Sequence, residues 1–114
     1  MTRPTIDPRT FETLQANAGA DFVLTLIEAF ASEAPRLLAA LKTAAAQGDA
    51  AGFEDAAHTL KSNGVTFGAT RLADMAHQLE WIGHVGETGE TGAVDALAAE
   101  LDASLLALRE LAQG

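Results

Sequence analysis

Apolar residues recur at steps of three and four along most of this chain, which is the spacing that gives a helix one buried face. Alanine and leucine, both strong helix formers, are abundant, and only three prolines interrupt them, two of these within the first eight residues. The alternating apolar and polar pattern typical of strands is absent. The sequence therefore predicts an all-α protein.

Capping residues and breaks divide the pattern into a short N-terminal helix and four longer ones. Asp7 is suited to cap the short helix, and Pro8 to occupy its first position, where no N–H group is needed. Pro35 lies within the second helix and is expected to kink it. The predicted helices span residues 7–16, 21–47, 49–66, 69–82 and 93–112, with breaks at residues 17–20, Gly48, Gly68 and the glycine-rich loop 83–92.

Four amphipathic helices joined by short turns predict an antiparallel, up-down four-helix bundle with a short extra N-terminal helix. We expect a single domain over residues 1–114, because this length suits one domain. The residues expected to face the core are Phe22, Leu26, Phe30, Leu37, Leu41, Phe53, Ala56, Ala57, Leu60, Gly64, Phe67, Leu72, Met75, Ala76, Leu79, Ile82, Val94, Leu97, Leu101, Leu105 and Leu108.

The net charge of −9 and the absence of cysteine exclude several functions. Nucleic acids and anionic membranes attract basic surfaces, so neither is expected as the main partner. Without cysteine the chain has no disulfide, thiol chemistry or cysteine metal site. The sequence has no apolar run of about 18 residues and no signal-peptide core near its start. We therefore expect a cytoplasmic monomer, and the first residues and the acidic final helix favour a stand-alone protein.

A histidine on the third helix is expected to face solvent. At about 100° per residue, His58 lies about 140° from Phe53, well outside the apolar stripe. Lys61 and Val65 lie about 80° and 120° from Phe53, and Ser62 about 180°, so these residues flank the histidine. An ordinary surface histidine is the alternative interpretation. The nearby lysine and the small residues in mid-helix favour a surface that another protein approaches closely.

Residues 57–80 carry a motif of defined spacing. Its parts are HTLKSNG at residues 58–64, then Gly68-Ala69, Leu72 and the pair Leu79-Glu80. This segment resembles the histidine phosphotransfer (HPt) domain family, whose pattern is H-x-L-K-G-[small]-[small], then G-A-x-x-L and a terminal L-E. Ser62 stands where the family often has glycine, and serine is still small. Together with the predicted bundle, the resemblance covers nearly the whole chain.

The resemblance implies specific roles for these residues. His58 would accept a phosphoryl group on a ring nitrogen, expected to be Nε2, from the aspartyl phosphate of a response regulator. Lys61 would stabilise the phosphoryl charge, and Glu80 would orient the imidazole by accepting its Nδ1–H. The residues expected to contact the partner are Ser62, Gly64 and Val65.

The resemblance also implies the partners. They are response-regulator receiver domains, for both donor and acceptor, and a hybrid sensor histidine kinase. No cofactor or metal is expected on this chain, because the family's chemistry places magnesium and the acceptor aspartate on the receiver. The sequence has no phosphate-binding glycine loop, so ATP chemistry is not expected. The resemblance therefore implies a phosphocarrier and not an enzyme.

Other interpretations of the same residues remain open. A helical adaptor that carries no phosphate would use Val65 and Trp81 as simple contact residues. Trp81 lies opposite the apolar face of its helix, so it is either an interface anchor or packed against the N-terminal helix.

The other site residues also have structural interpretations. Lys61 would be a surface lysine paired with Glu54 or another acid, and Glu80 a solvated charge. Gly64 and Gly68 would be packing and turn residues.

Metal binding is the remaining alternative. The pairs Asp55–His58 and Asp74–His77 have the spacing of di-metal sites in helical bundles. Both pairs point away from the predicted core, which disfavours a buried metal site. A weak surface zinc site would use His77, Glu80 and His84, although exposed histidines are the simpler interpretation.

Overall fold

The computed structural model describes residues 4–113, which fold into five helices with no strand among them. The predicted all-α class is confirmed. Residues 1–3 and 114, which the predicted single domain includes, lie outside the described residues. None of the described helices has both the length and the apolar character needed to cross a membrane. The helices are α1 (Pro8–Ala18), α2 (Ala20–Gln47), α3 (Ala50–Phe67), α4 (Thr70–His84) and α5 (Thr91–Gln113).

Local side-chain chemistry sets the helix ends. Oδ1 of Asp7 accepts the N–H of Arg9 at 3.2 Å, and Oδ1 of Asp49 accepts the N–H of Gly52 at 3.0 Å. Both bonds satisfy donors that the first helical turn leaves unpaired. Gly68 ends α3 with a φ of 76°, which glycine adopts without steric cost. These caps confirm the predicted starts of α1 and α3 and the predicted end of α3.

Several helix boundaries differ from the prediction by one or two residues. The break before α2 is Gly19 alone and not residues 17–20, because one glycine with a φ of 91° is enough to turn the chain. Helix α4 continues to His84 and α5 already begins at residue 91, so the loop between them is shortened to residues 85–90.

Buried apolar residues from all five helices form one core. Phe22 is a clear error of the sequence prediction, because its side chain is 55% exposed. Val23 and Ile27 are fully buried instead, so the inner stripe of α2 begins one residue later than predicted. A shift of one residue turns a helical position by about 100°. Every inner residue predicted on α3 is buried: Phe53, Ala56, Ala57, Leu60, Gly64 and Phe67.

Helices α3 and α4 form the most extensive helix–helix interface. A Cβ on Gly64 would lie 3.0 Å from the backbone nitrogen of Ala73, and one on Gly83 would lie 2.7 Å from that of Glu54. At these two points a side chain would press against the backbone of the neighbouring helix. This α3–α4 interface therefore lets side chains at the edge of one helix reach the other.

The remaining helices support this pair. Helix α2 packs against α3 and α5, while α1 packs against α2 and α3. The backbone N–H of Asp7 donates to the carbonyl of Gly68 at 2.8 Å, which ties the start of α1 to the end of α3. The rings of Phe30 and Phe67 stack with centroids 5.4 Å apart between α2 and α3. These contacts place α3 with its inner face covered and its opposite face open.

Candidate functional site

His58 lies on the open face of α3. Its neighbours Ala57 and Leu60 are fully buried, whereas the imidazole side chain is 58% exposed. The outward direction predicted from the helical phase is therefore present in the structure.

Glu80 of α4 contacts both His58 and Lys61 of α3. Its Oε2 lies 2.5 Å from Nδ1 of His58, and its Oε1 accepts a hydrogen bond from Nζ of Lys61 at 2.6 Å. An ionised carboxylate only accepts hydrogen bonds, so Nδ1 of His58 carries the hydrogen. The lone pair of the neutral imidazole is then on Nε2, the ring nitrogen that the carboxylate does not hold.

The charge on Glu80 is strongly stabilised. The hydrogen bond from Lys61 is the largest cause that lowers the pKa of Glu80 from 4.5 to about 2. Burial opposes this change, while the hydrogen bond from His58 and the charges of Lys61 and His58 add to it. With its side chain only 15% exposed, Glu80 stays ionised at neutral pH and holds both partners.

A second histidine contacts the same carboxylate. Nδ1 of His77 lies 3.5 Å from Oε1 of Glu80, with the two residues three positions apart on α4. When protonated, His77 adds a cation beside Glu80. The sequence analysis considered His77 as an exposed histidine or a metal ligand, although its i,i+3 spacing to Glu80 was a signal for this pairing.

A further histidine–carboxylate pair crosses the α3–α4 interface. Nδ1 of His84 lies 3.1 Å from Oε2 of Glu54. This pair mirrors the first, because Glu54 and His58 are four residues apart on α3, as are Glu80 and His84 on α4. The sequence analysis missed it, and considered Glu54 only as a partner for Lys61, which instead binds Glu80. The i,i+4 spacing is visible in the sequence, but the register between the helices is not.

Of the three residues expected to contact a partner, two are exposed and one is buried. Ser62 is exposed, and Val65 is 64% exposed. Gly64 is buried against Ala73, so it serves helix packing and is not a surface residue, which corrects the expectation that it contacts a partner. Trp81 is 61% exposed and so is not packed beneath the N-terminal helix.

Metal-binding alternatives gain no support from the geometry. Asp55, His58, Asp74 and His77 are all exposed, far from the buried arrangement of a di-metal bundle site. Within residues 4–113, no group of three or more histidine, aspartate or glutamate side chains is arranged to hold a metal ion.

The fold and the site together define a small all-helical protein that presents a histidine held by a carboxylate from the neighbouring helix. The sequence model of the Hpt domain family matches residues 25–113, so the chain belongs to that family. The expected family is thereby confirmed, and membership supports a phosphotransfer carrier role in two-component signalling.

A solved structure has the same fold. The crystal structure of histidine-containing phosphotransfer protein B from Pseudomonas aeruginosa is similar to this chain with a TM-score of 0.87 and 23% sequence identity. The match covers 98% of this chain and 97% of that protein. The comparison with curated proteins gave no match.

Proposed function

We propose that His58 is the phosphoryl carrier of this Hpt domain. It accepts a phosphoryl group from the aspartyl phosphate of one receiver domain and passes it to the aspartate of another. The observation that carries this proposal is the contact between Nδ1 of His58 and Oε2 of Glu80. Because the hydrogen is held on Nδ1, the nucleophilic lone pair lies on the solvent-facing nitrogen.

The transfer requires no proton movement before attack. The Nε2 lone pair of His58 forms an N–P bond as the P–O bond of the aspartyl phosphate breaks, and the aspartate leaves as a carboxylate. The ring becomes positively charged with its hydrogen still on Nδ1, where the ionised Glu80 stabilises it. In the second half of the relay, the acceptor carboxylate attacks phosphorus and Nε2 recovers its lone pair.

Lys61 contributes charge to the same step. Its side chain is 27% exposed, and its ammonium group donates to Glu80 and keeps further N–H groups for phosphoryl oxygens. A phosphoryl group on Nε2 adds negative charge beside this cation. Lys61 therefore both fixes Glu80 and attracts the transferred group as a point charge.

The proposed partners follow from membership of the Hpt family. Receiver domains supply the aspartates and the magnesium ion, and a hybrid sensor histidine kinase supplies the phosphoryl group upstream. The chain acts as a monomeric carrier without a cofactor of its own. We further infer an up-down arrangement of α2 to α5, which is supported by the short connections at residues 48–49, 68–69 and 85–90.

A relay assay tests this function against the adaptor alternative. Each receiver domain of the source organism is phosphorylated with label and mixed with the chain, and then with a second receiver. A carrier takes up the label and releases it to the second receiver. An adaptor binds a receiver without taking up label, and that result would reject the carrier function.

A further inference from the structure

An exposed tryptophan lies beside the site, and neither the core nor the proposed transfer chemistry uses it. Trp81 of α4 is the single tryptophan of the chain, and its side chain is 61% exposed. A large aromatic ring gains much from burial, and tryptophan is enriched where one protein docks on another. This exposure therefore needs an explanation.

The neighbours of Trp81 place it on the same side of the α3–α4 interface as His58. Glu80, the preceding residue, contacts His58. Around the axis of α4, Trp81 lies about 40° from His77 and about 60° from His84, at about 100° per residue. His77 reaches Glu80 and His84 reaches α3. Trp81 is consequently on the solvent side of the α3–α4 interface, on the same face as His58.

The indole is also held in place. Its ring lies against the imidazole of His84, with ring centroids 5.5 Å apart and an interplanar angle of 32°. His84 is in turn bound to Glu54 of α3. Val85, four residues after Trp81 and just beyond the end of α4, is 52% exposed, and we call these two residues the apolar strip. An aromatic side chain that is already ordered loses little entropy when a partner covers it.

The area that a partner must cover includes this strip. Direct transfer requires the receiver's aspartate to reach Nε2 of His58, so the receiver must lie on the surrounding surface. A small signalling interface buries up to about 600 Å² per partner and a standard one about 800 Å², which are patches of roughly 14 to 16 Å radius. Packed helix axes are only about 8–10 Å apart. A receiver centred on His58 of α3 therefore also covers Trp81 of α4.

We infer that Trp81 is an anchor residue for the receiver domain that docks on His58, and that the His84–Glu54 pair holds the indole in its docking position. This inference rests on the proposed carrier function. It extends the docking surface from Ser62 and Val65 on α3 to α4. The partner is a receiver with an apolar patch beside its acceptor aspartate, because an exposed indole gains most from an apolar contact.

The test uses a receiver that phosphorylates the wild-type chain. The dissociation constant is measured for wild type, Trp81→Ala and Leu106→Ala. Leu106 is the matched control, since it is also 61% exposed but lies on α5. Circular dichroism and labelling by phosphoramidate check that the fold and His58 are intact in each variant. We expect Trp81→Ala to weaken receiver binding about 30-fold, as for a hot-spot residue, and Leu106→Ala to change it less than about twofold.

Fluorescence gives a second measurement without loss of the ring. Because the chain has one tryptophan, the spectrum of the complex minus that of the Trp81→Phe complex reports Trp81 alone. Docking should shift or quench this emission. Equal affinities of Trp81→Ala and Leu106→Ala, or an unchanged emission at saturating receiver, overturn the inference and leave the carrier function standing. Failure of every receiver to label the wild-type chain overturns both.

Discussion

Nδ1 of His58 and Oε2 of Glu80 lie 2.5 Å apart across the α3–α4 interface. An exposed imidazole on one helix is thus oriented by a carboxylate of another. The same two helices also pack tightly at glycine positions, as a Cβ on Gly83 would lie 2.7 Å from the Glu54 backbone. The chemistry of the histidine therefore depends on the packing beneath it.

Filling this interface should destabilise the protein. In Gly83→Ala the added methyl group must push against the backbone of α3, so we expect a loss of about 1–3 kcal/mol in the free energy of unfolding. Alanine's better helix propensity offsets part of this cost. Gly92→Ala is the control, since nothing lies within 4 Å of that position. Urea unfolding distinguishes them, and equal stabilities would show that the interface tolerates a side chain.

The acid stability of the protein should depend on Glu80. Its pKa is lowered to about 2 in the folded protein from an ordinary value of 4.5. A group with a depressed pKa stabilises the fold fully above its unfolded pKa and loses that contribution as the pH falls toward its folded pKa. We expect Glu80→Gln to be less stable than wild type at pH 7, and the difference to shrink between pH 4.5 and pH 2.

Urea unfolding gives the free energy of unfolding of wild type and Glu80→Gln across this pH range. Glu87→Gln, which changes an exposed loop residue, is the control. Because the other carboxylates are common to both proteins, the difference isolates Glu80. A difference that stays constant from pH 7 to pH 2 would contradict the assigned ionisation.

Lys61 should matter more for transfer than for folding. In Lys61→Ala, Glu80 loses its strongest hydrogen-bond partner and the phosphoryl group loses a nearby cation. We expect transfer from a receiver to slow about 10-fold or more, with a stability loss of about 1 kcal/mol. Lys42→Ala removes the other lysine of the chain, on α2, and should behave as wild type. Equal transfer rates in Lys61→Ala and Lys42→Ala would show that Lys61 is an ordinary surface lysine.

The α3 side of the docking surface is tested by adding bulk or charge. Ser62 is exposed and Val65 is 64% exposed, so Ser62→Trp and Val65→Asp should leave the helical circular dichroism unchanged. Both should weaken receiver binding strongly, because a few contacts dominate small interfaces. Normal binding by both variants would move the docking surface away from α3.

The sequence predicts those features that depend on one helix at a time. The phase of α3 places His58 outward and Phe53 inward, and both positions agree with the structure. The predicted burial of Phe22 is wrong because several apolar residues compete for the inner face where α2 begins. Periodicity alone does not choose among them.

Contacts between two helices are harder to predict from the sequence. The His84–Glu54 pair and the burial of Gly64 against Ala73 both depend on the register between α3 and α4. Helical periodicity fixes which face of a helix is apolar, but not how far one helix slides along another. For Glu80 the expected contact with His58 came from the family pattern, and the spacing within α4 alone does not determine it.

The most direct test of the account is to locate the phosphoryl group after transfer from a phosphorylated receiver domain. Phosphorus–nitrogen NMR couplings and mass spectrometry identify the atom and the residue that carry it. We predict a phosphoryl group on Nε2 of His58 that is lost in acid, persists in alkali and is absent from a folded His58→Gln variant. Label that survives acid, as on Ser62 or a threonine, or label that remains in His58→Gln, would contradict the assignment of His58 as the carrier.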